Sequence, residues 1–137
     1  ADMARKLLES KGIYSADFRA ADVLATGYAD GQFDAVVSRD VIDHMPLRDG
    51  IAAVRELCRI TKDGGTVVLT LDRTDEEYER EPHTVNGDGD YLFSDGKWKG
   101  MVFHPYSEEQ IPLLVQGGVV KRLEVDSEGF LLFLSKA

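Results

Sequence analysis

The chain has 137 residues, 43% of them hydrophobic and 30% charged, with 16 basic against 25 acidic side chains, a net charge of −9 and one cysteine. This is the size of one ordinary domain with a continuous core, and a lone cysteine excludes an internal disulfide scaffold. No Cys/His cluster has zinc-ligand spacing, no run of about 18 apolar residues could span a bilayer, and the acidic balance argues against nucleic acid as a partner. The residues read as a single cytoplasmic domain with no metal. The chain starts at Ala1 with a helical pattern already running, so an N-terminally incomplete domain is expected.

The opening segment, residues 2–11, sets Met3, Leu7 and Leu8 at helical spacing and stops at Gly12. Ile13, Phe18, Ala20, Ala21 and Val23 then predict a strand ending near Asp22, followed by a connector with the turn dipeptide Asp30-Gly31. Phe33-Asp34-Ala35-Val36-Val37-Ser38 is apolar almost throughout, as a central parallel strand buried on both faces would be. Pro46 opens a helix whose Leu47, Ile51, Val54 and Cys58 share one face, and Gly64-Gly65 closes it after Lys62. A second buried strand, residues 66–71, completes a βαβ unit.

Residues 72–105 are less regular: a short charged helix over 72–80, a loop at 86–90, and a small hairpin of 91–93 with 101–103. Ser107 and Gln110 form a capping-box pattern before a helix carrying Ile111, Leu114 and Val115, and Gly117-Gly118 ends it. Residues 119–125 and 130–134 are two strands whose tight connection requires antiparallel pairing. The fold class is α/β: a Rossmann-like, mostly parallel sheet with helices on both faces and a C-terminal antiparallel strand pair.

In open α/β sheets, ligands sit beyond the carboxyl ends of the parallel strands. Asp22 could accept a hydrogen bond from an exocyclic amine such as that of adenine while the Val23 amide serves a ring nitrogen; equally, Asp22 could cap its own turn. Ser38, Arg39 and Asp40 could hold an amino-acid-like or cationic group, or Arg39 could form a surface ion pair with Asp40 or Asp43. His44 could be a general base near neutral pH or a loop residue bonded to the backbone. His83 and His104, with Tyr91, Phe93, Trp98, Phe103 and Tyr106, make residues 72–105 aromatic-rich, either the roof of a pocket or a satellite core. Asp88, Asp90 and Asp95 lack the spacing of a calcium loop, and Cys58 lies on a core stripe.

Taken in order, these motifs resemble the class I S-adenosylmethionine-dependent methyltransferases. The resemblance lies in Phe18-Arg-Ala-Ala-Asp22-Val23, in Phe33-Asp34-Ala-Val-Val-Ser38, in Val41-Ile42-Asp43-His44-Met45, in residues 57–69 (like the family's "ElxRVLKPGGxlvi", with Asp63 in the Pro place) and in residues 106–111 with Gly117-Gly118-Val119. It implies S-adenosylmethionine as cofactor, Asp22 and Val23 on the adenine, Ser38, Arg39 and Val41 near the rest of the cofactor, and His44 on the substrate side. The acceptor would be a small molecule met by the aromatic insert, with His83, Tyr91, Trp98, His104 and Tyr106 as candidate contacts. The family's glycine-rich loop and ribose-binding acid have no counterpart here. The chain therefore resembles the later two-thirds of such a domain, its sheet to be completed by an upstream segment or a second copy. The alternative is a non-catalytic remnant of this fold acting as a dimerising or partner-binding module; a nicotinamide-linked dehydrogenase half needs the same loop and matches no later motif.

Overall fold

Two strands rich in β-branched and aliphatic residues lie side by side in a computed structural model, which describes residues 2–136; the first, expected to be central and buried on both faces, is instead an edge strand with most of its residues exposed or half-buried. Strand β1 (Phe33–Arg39) runs parallel to β2 (Thr61–Asp72), with Val36 opposite Val67 and Ser38 opposite Leu69. On its other edge β2 pairs antiparallel with β7 (Gly129–Lys136), and β7 pairs antiparallel with β6 (Gly118–Val125). The order is thus β1-β2-β7-β6, with the parallel part confined to β1 and β2. The expected α/β class and terminal antiparallel pair are both present.

Alternation decides which face is buried. Val67, Leu69 and Leu71 of β2, with Phe130, Leu132 and Leu134 of β7, are almost wholly inaccessible. They meet Ala53, Val54, Leu57 and Cys58 of helix α2 (Leu47–Ile60), and Ile111, Leu114 and Val115 in and just after helix α4 (Ile111–Leu114). The residues between them, Val68, Thr70, Leu131 and Phe133, are only half-buried. Helices therefore pack on one face alone; α1 (Asp2–Ser10) buries no residue, and its Met3 is 87% exposed.

Three further expectations change. The strand predicted up to Asp22 does not form: residues 13–21 are irregular, and Asp22 makes only an isolated bridge to Ala25. The reason is lack of a partner, because a strand needs a neighbouring ladder to satisfy its amides. Helix α2 ends at Ile60 rather than at Gly64, and residues 61–65 belong to β2 as a loop between the pairs Phe33–Thr61 and Ala35–Thr66. Gly65 is required there, since a Cβ would lie 2.6 Å from the Asp34 carbonyl oxygen. Lastly, Arg39 and Asp43 do not pair, because Asp43 is wholly buried.

The stretch before β1 is held by polar contacts to α2. Glu56 accepts from the Thr26 amide (3.0 Å) and hydroxyl (2.8 Å) and from Arg59 Nε (2.8 Å) and Nη2 (2.7 Å). Arg59 also donates to the Tyr28 carbonyl (2.7 Å) and Asp30 (2.6 Å). These bonds, led by the one from Arg59, lower the Glu56 pKa to about 2.

The insert between β2 and β6 forms its own sheet, β3 (His83–Val85), β4 (Tyr91–Phe93) and β5 (Val102–Phe103), all antiparallel. Helix α3 (Glu76–Arg80), capped by Asp75, delivers Tyr78 onto Phe93, Trp98 and Phe103, its ring stacked 4.2 Å from that of Phe103. A buried hydrogen-bonded pair closes the insert: His104 Nδ1 lies 2.7 Å from Asp90 Oδ1 and Nε2 3.0 Å from the Gln110 side-chain oxygen, while the His104 amide donates to the Asp43 carbonyl at 2.7 Å. Asn86 Nδ2 donates to the second Asp90 oxygen, and the Ser107–Gln110 capping box forms beside them.

Two outcomes follow from these contacts. Glu56→Gln should destabilise the chain by about 2 kcal/mol in urea denaturation at pH 7. Because the folded pKa is depressed, this advantage of the native residue is present above about pH 4.5 and disappears as the pH falls through about 2. Asp90→Ala, which leaves His104 Nδ1 unpartnered in the interior, should cost about 2 kcal/mol and change the near-ultraviolet circular dichroism of the insert's aromatic cluster.

Candidate functional site

The carboxyl ends of β1 and β2 lie side by side, and the chain turns sharply at both. Asp40 adopts a left-handed conformation (φ 52°), which Asp tolerates better than most side chains, and Thr70 fixes it there. The Thr70 hydroxyl accepts from the Asp40 amide at 3.0 Å and donates to Asp40 Oδ1 at 2.9 Å. A 3-10 turn (Ile42–His44) follows and sinks Ile42 and Asp43 completely. Asp43 Oδ2 accepts from the Asp72 amide at 2.9 Å, so the loop after β1 is tied to the end of β2; Asp72 Oδ2 in turn accepts from the Tyr78 hydroxyl at 3.3 Å.

One oxygen from each of Asp40, Asp43 and Asp72 lies within 4.8 Å of the others. Burial, the larger cause, pushes the Asp43 carboxyl above its ordinary range, and desolvation followed by the nearby Asp40 charge does the same for Asp72. Tyr78, buried and beside Asp72, holds its proton more tightly than a free tyrosine. A cleft of about 350 Å³ opens here, lined by Arg39, Asp40, Asp72, Asp126, Glu128 and the apolar floor of Leu71, Phe130 and Leu131. Gly129 makes this corner possible: a Cβ on it would lie 1.9 Å from the Leu71 carbonyl oxygen. A second cavity, about 470 Å³, lies between the start of α2 and the insert, walled by Leu47, Arg48, Ile51, Asn86, Asp90 and His104.

The residues singled out from sequence fall in five places. Ser38, Arg39 and Val41 gather at the tip of β1: Arg39 lines the first cleft and is exposed, Val41 is 40% exposed, and Ser38 is buried with its hydroxyl unpartnered. Asp22 and Val23 lie on the irregular segment and line neither cavity. Asp22 Oδ1 accepts from the Leu24 amide at 2.9 Å, a turn-capping contact, while Val23 packs against the main core. His44 is half-buried, with Nδ1 3.3 Å from the Val102 carbonyl oxygen and its ring 5.8 Å from Phe103. His83 and Tyr91 stack at 4.6 Å, and Trp98 joins Tyr78 and Phe93 in the insert's small core. His104 and Tyr106 are interior residues, the first hydrogen-bonded to Asp90 and the second in the main core with its hydroxyl buried and unpartnered.

The trio Asp40, Asp43 and Asp72 escaped the reading of the sequence as a group. A signal was present: two acids three residues apart after one parallel strand and an acid at the end of the next must converge when those strands are neighbours.

The Methyltransferase domain family matches residues 1–69, from α1 through most of β2. The chloroplastic tocopherol O-methyltransferase of Arabidopsis thaliana is 38% identical over 56 residues, which are 41% of this chain and 16% of that protein. Among solved structures, a Pyrococcus horikoshii OT3 protein superposes with a TM-score of 0.79 at 17% identity, covering 99% of this chain and 66% of its own. A SAM-dependent methyltransferase from Methanosarcina mazei follows with a TM-score of 0.77 at 15% identity, covering 98% and 76%. The 1,6-didemethyltoxoflavin-N1-methyltransferase of Burkholderia thailandensis, solved with 1,6-didemethyltoxoflavin and S-adenosylhomocysteine, gives 0.70 at 13%, covering 98% and 56%. The chain thus spans only part of the length of these proteins, and at such identities the solved structures establish the fold alone. A family match over half the chain, on a sheet whose parallel strands end in a polar rim, places this chain in the methyltransferase-domain family.

Proposed function

We propose that the chain is the later part of an S-adenosylmethionine-dependent methyltransferase that acts on a small-molecule acceptor. The observation that carries this reading is the family match joined to the tip of β1, where Ser38, Arg39 and Val41 emerge beside the carboxyl end of β2. The relatives named for tocopherol and for 1,6-didemethyltoxoflavin support a small organic acceptor, and the latter was solved with S-adenosylhomocysteine.

The chain's own polar groups suit part of that cofactor. Asp22 uses only Oδ1 in its turn, leaving Oδ2 for an adenine amine, and the Val23 amide donates to no group among the described residues. The unpartnered Ser38 hydroxyl, with Arg39 and Val41, would flank the remainder of the cofactor. When bound, S-adenosylmethionine supplies an activated methyl group, and in-line transfer asks the protein chiefly for alignment. His44, with Nδ1 facing the Val102 carbonyl, would keep Nε2 for a proton from the acceptor. The insert's His83, Tyr91 and Trp98 would form the acceptor side, backed by buried His104 and Tyr106. A reducing compartment such as the cytoplasm fits the single buried thiol, and among the described residues no helix is long and apolar enough to cross a membrane.

A second reading, a non-catalytic self-associating module, is favoured by one feature. The outer edge of β1 has no partner strand among the described residues, and Val37 on it is 69% exposed. A second copy or an upstream segment would complete the ladder.

Two measurements separate these readings. Calorimetric titration with S-adenosylhomocysteine should give binding when the chain is joined to a segment carrying a glycine-rich loop, and Asp22→Ala should weaken it by about tenfold, the loss of one hydrogen bond to the adenine edge. No heat from the joined protein would end the enzyme reading. Light scattering of the 137-residue chain should report a dimer if β1 edges pair, and a monomer would remove the self-association reading.

A further inference from the structure

The acidic corner at the tips of β1 and β2 has a feature that hydrogen bonding within the protein does not satisfy. Asp43 is wholly buried, yet its Oδ1 has no partner. Buried polar atoms are almost always paired, and an orphaned carboxylate oxygen in the interior signals a group that completes its shell. The neighbouring bonds leave a matching vacancy on each acid. Asp43 spends Oδ2 on the Asp72 amide, Asp72 spends Oδ2 on Tyr78, and Asp40 spends Oδ1 on Thr70. One oxygen of each is left over, and the three carboxylates converge within 4.8 Å.

We infer that Asp40, Asp43 and Asp72 together bind one hard divalent cation of the magnesium, manganese or calcium class. A cation about 2.1–2.4 Å from each oxygen requires those oxygens to lie no more than about 4.8 Å apart, and one oxygen from each acid meets that limit. All three donors are carboxylates, the ligand type such ions prefer over zinc or copper. The donors are also held in place. Thr70 pins Asp40 in its left-handed conformation, and the Asp72 amide pins Asp43. The adjoining cleft of about 350 Å³, edged by Asp126 and Glu128, gives a charged way in. The cationic side chain paired with this trio is that of Arg39, 3.8 Å from Asp40 Oδ2 and 84% exposed, too hydrated to balance the buried charge. A bound cation would clamp the loop after β1 to the end of β2.

Manganese is the probe, its electron paramagnetic resonance signal distinguishing free from bound ion. The 137-residue chain, freed of metal with EDTA and dialysed, should bind one Mn²⁺ per chain at submillimolar concentration and gain melting temperature as it does so. Displacement by Mg²⁺ at concentrations where Ca²⁺ fails identifies a small octahedral site, and the reverse order a calcium site; either supports the inference. Asp43→Asn and Asp72→Asn should each weaken binding by about tenfold or more, whereas Glu128→Gln, in the same cleft but outside the trio, should leave it nearly unchanged. Should Asp43→Asn fail to fold by far-ultraviolet circular dichroism, Asp40→Asn, at a less buried position, decides the matter. No Mn²⁺ binding at millimolar concentration, or equal binding in wild type and folded trio variants, would overturn the proposal. So would an Asp43→Asn chain more stable than wild type in EDTA and indifferent to cations, the behaviour of acids that share protons. S-adenosylhomocysteine binding is read separately, so failure here leaves the methyltransferase reading standing.

Discussion

Strand β2 is the constraint on which the rest of the molecule hangs. It is paired on both edges, parallel to β1 and antiparallel to β7, and its inward side chains Val67, Leu69 and Leu71 are at most 1% exposed. A fully paired strand cannot shift register without turning its apolar side chains to solvent. Helix α2 is fixed on that face by Val54, Leu57 and Cys58, and through Glu56 and Arg59 it holds the irregular segment before β1. The position of that segment, including Asp22, therefore depends on a helix whose own position depends on β2.

The same strand determines where polar chemistry gathers. Parallel neighbours end at the same level, so the turns after β1 and β2 meet, and Asp40 and Asp43 from one turn join Asp72 from the other at one corner. Gly129 allows the turn between β6 and β7 to approach the Leu71 carbonyl, which closes the corner from the other side. The insert adds Tyr78, whose hydroxyl reaches Asp72, and His104, whose amide donates to the Asp43 carbonyl at 2.7 Å. The insert thus touches both Asp43 and Asp72, and the β6–β7 turn meets the backbone beside Asp72.

The two faces of the sheet differ sharply. One is sealed by α2 and α4; the other leaves Val68, Leu131 and Phe133 half-buried and Val37 open. The asymmetry explains why α1 lies without buried residues: its apolar stripe of Met3 and Leu7 has no described surface of the sheet to rest on.

Much of this was readable from residues in order. Runs such as Phe33–Arg39, the apolar stripe of α2, the Ser107–Gln110 cap and the tight turn before Gly129 are local patterns, and local patterns specify local structure. The strand up to Asp22 failed because a strand is a relation between two segments, and its apolar residues cannot state whether a partner is present. His104 and Tyr106 looked like pocket residues and are interior, because an aromatic or imidazole side chain reads the same whether it faces a cavity or a core. The sequence by itself determined the α/β class, the βαβ unit and the terminal antiparallel pair, since periodicity and turn chemistry act over a few residues. Only the tertiary structure decided which carboxylates meet, which face is covered and which histidine is buried against an acid, since those depend on distances between residues far apart in the chain.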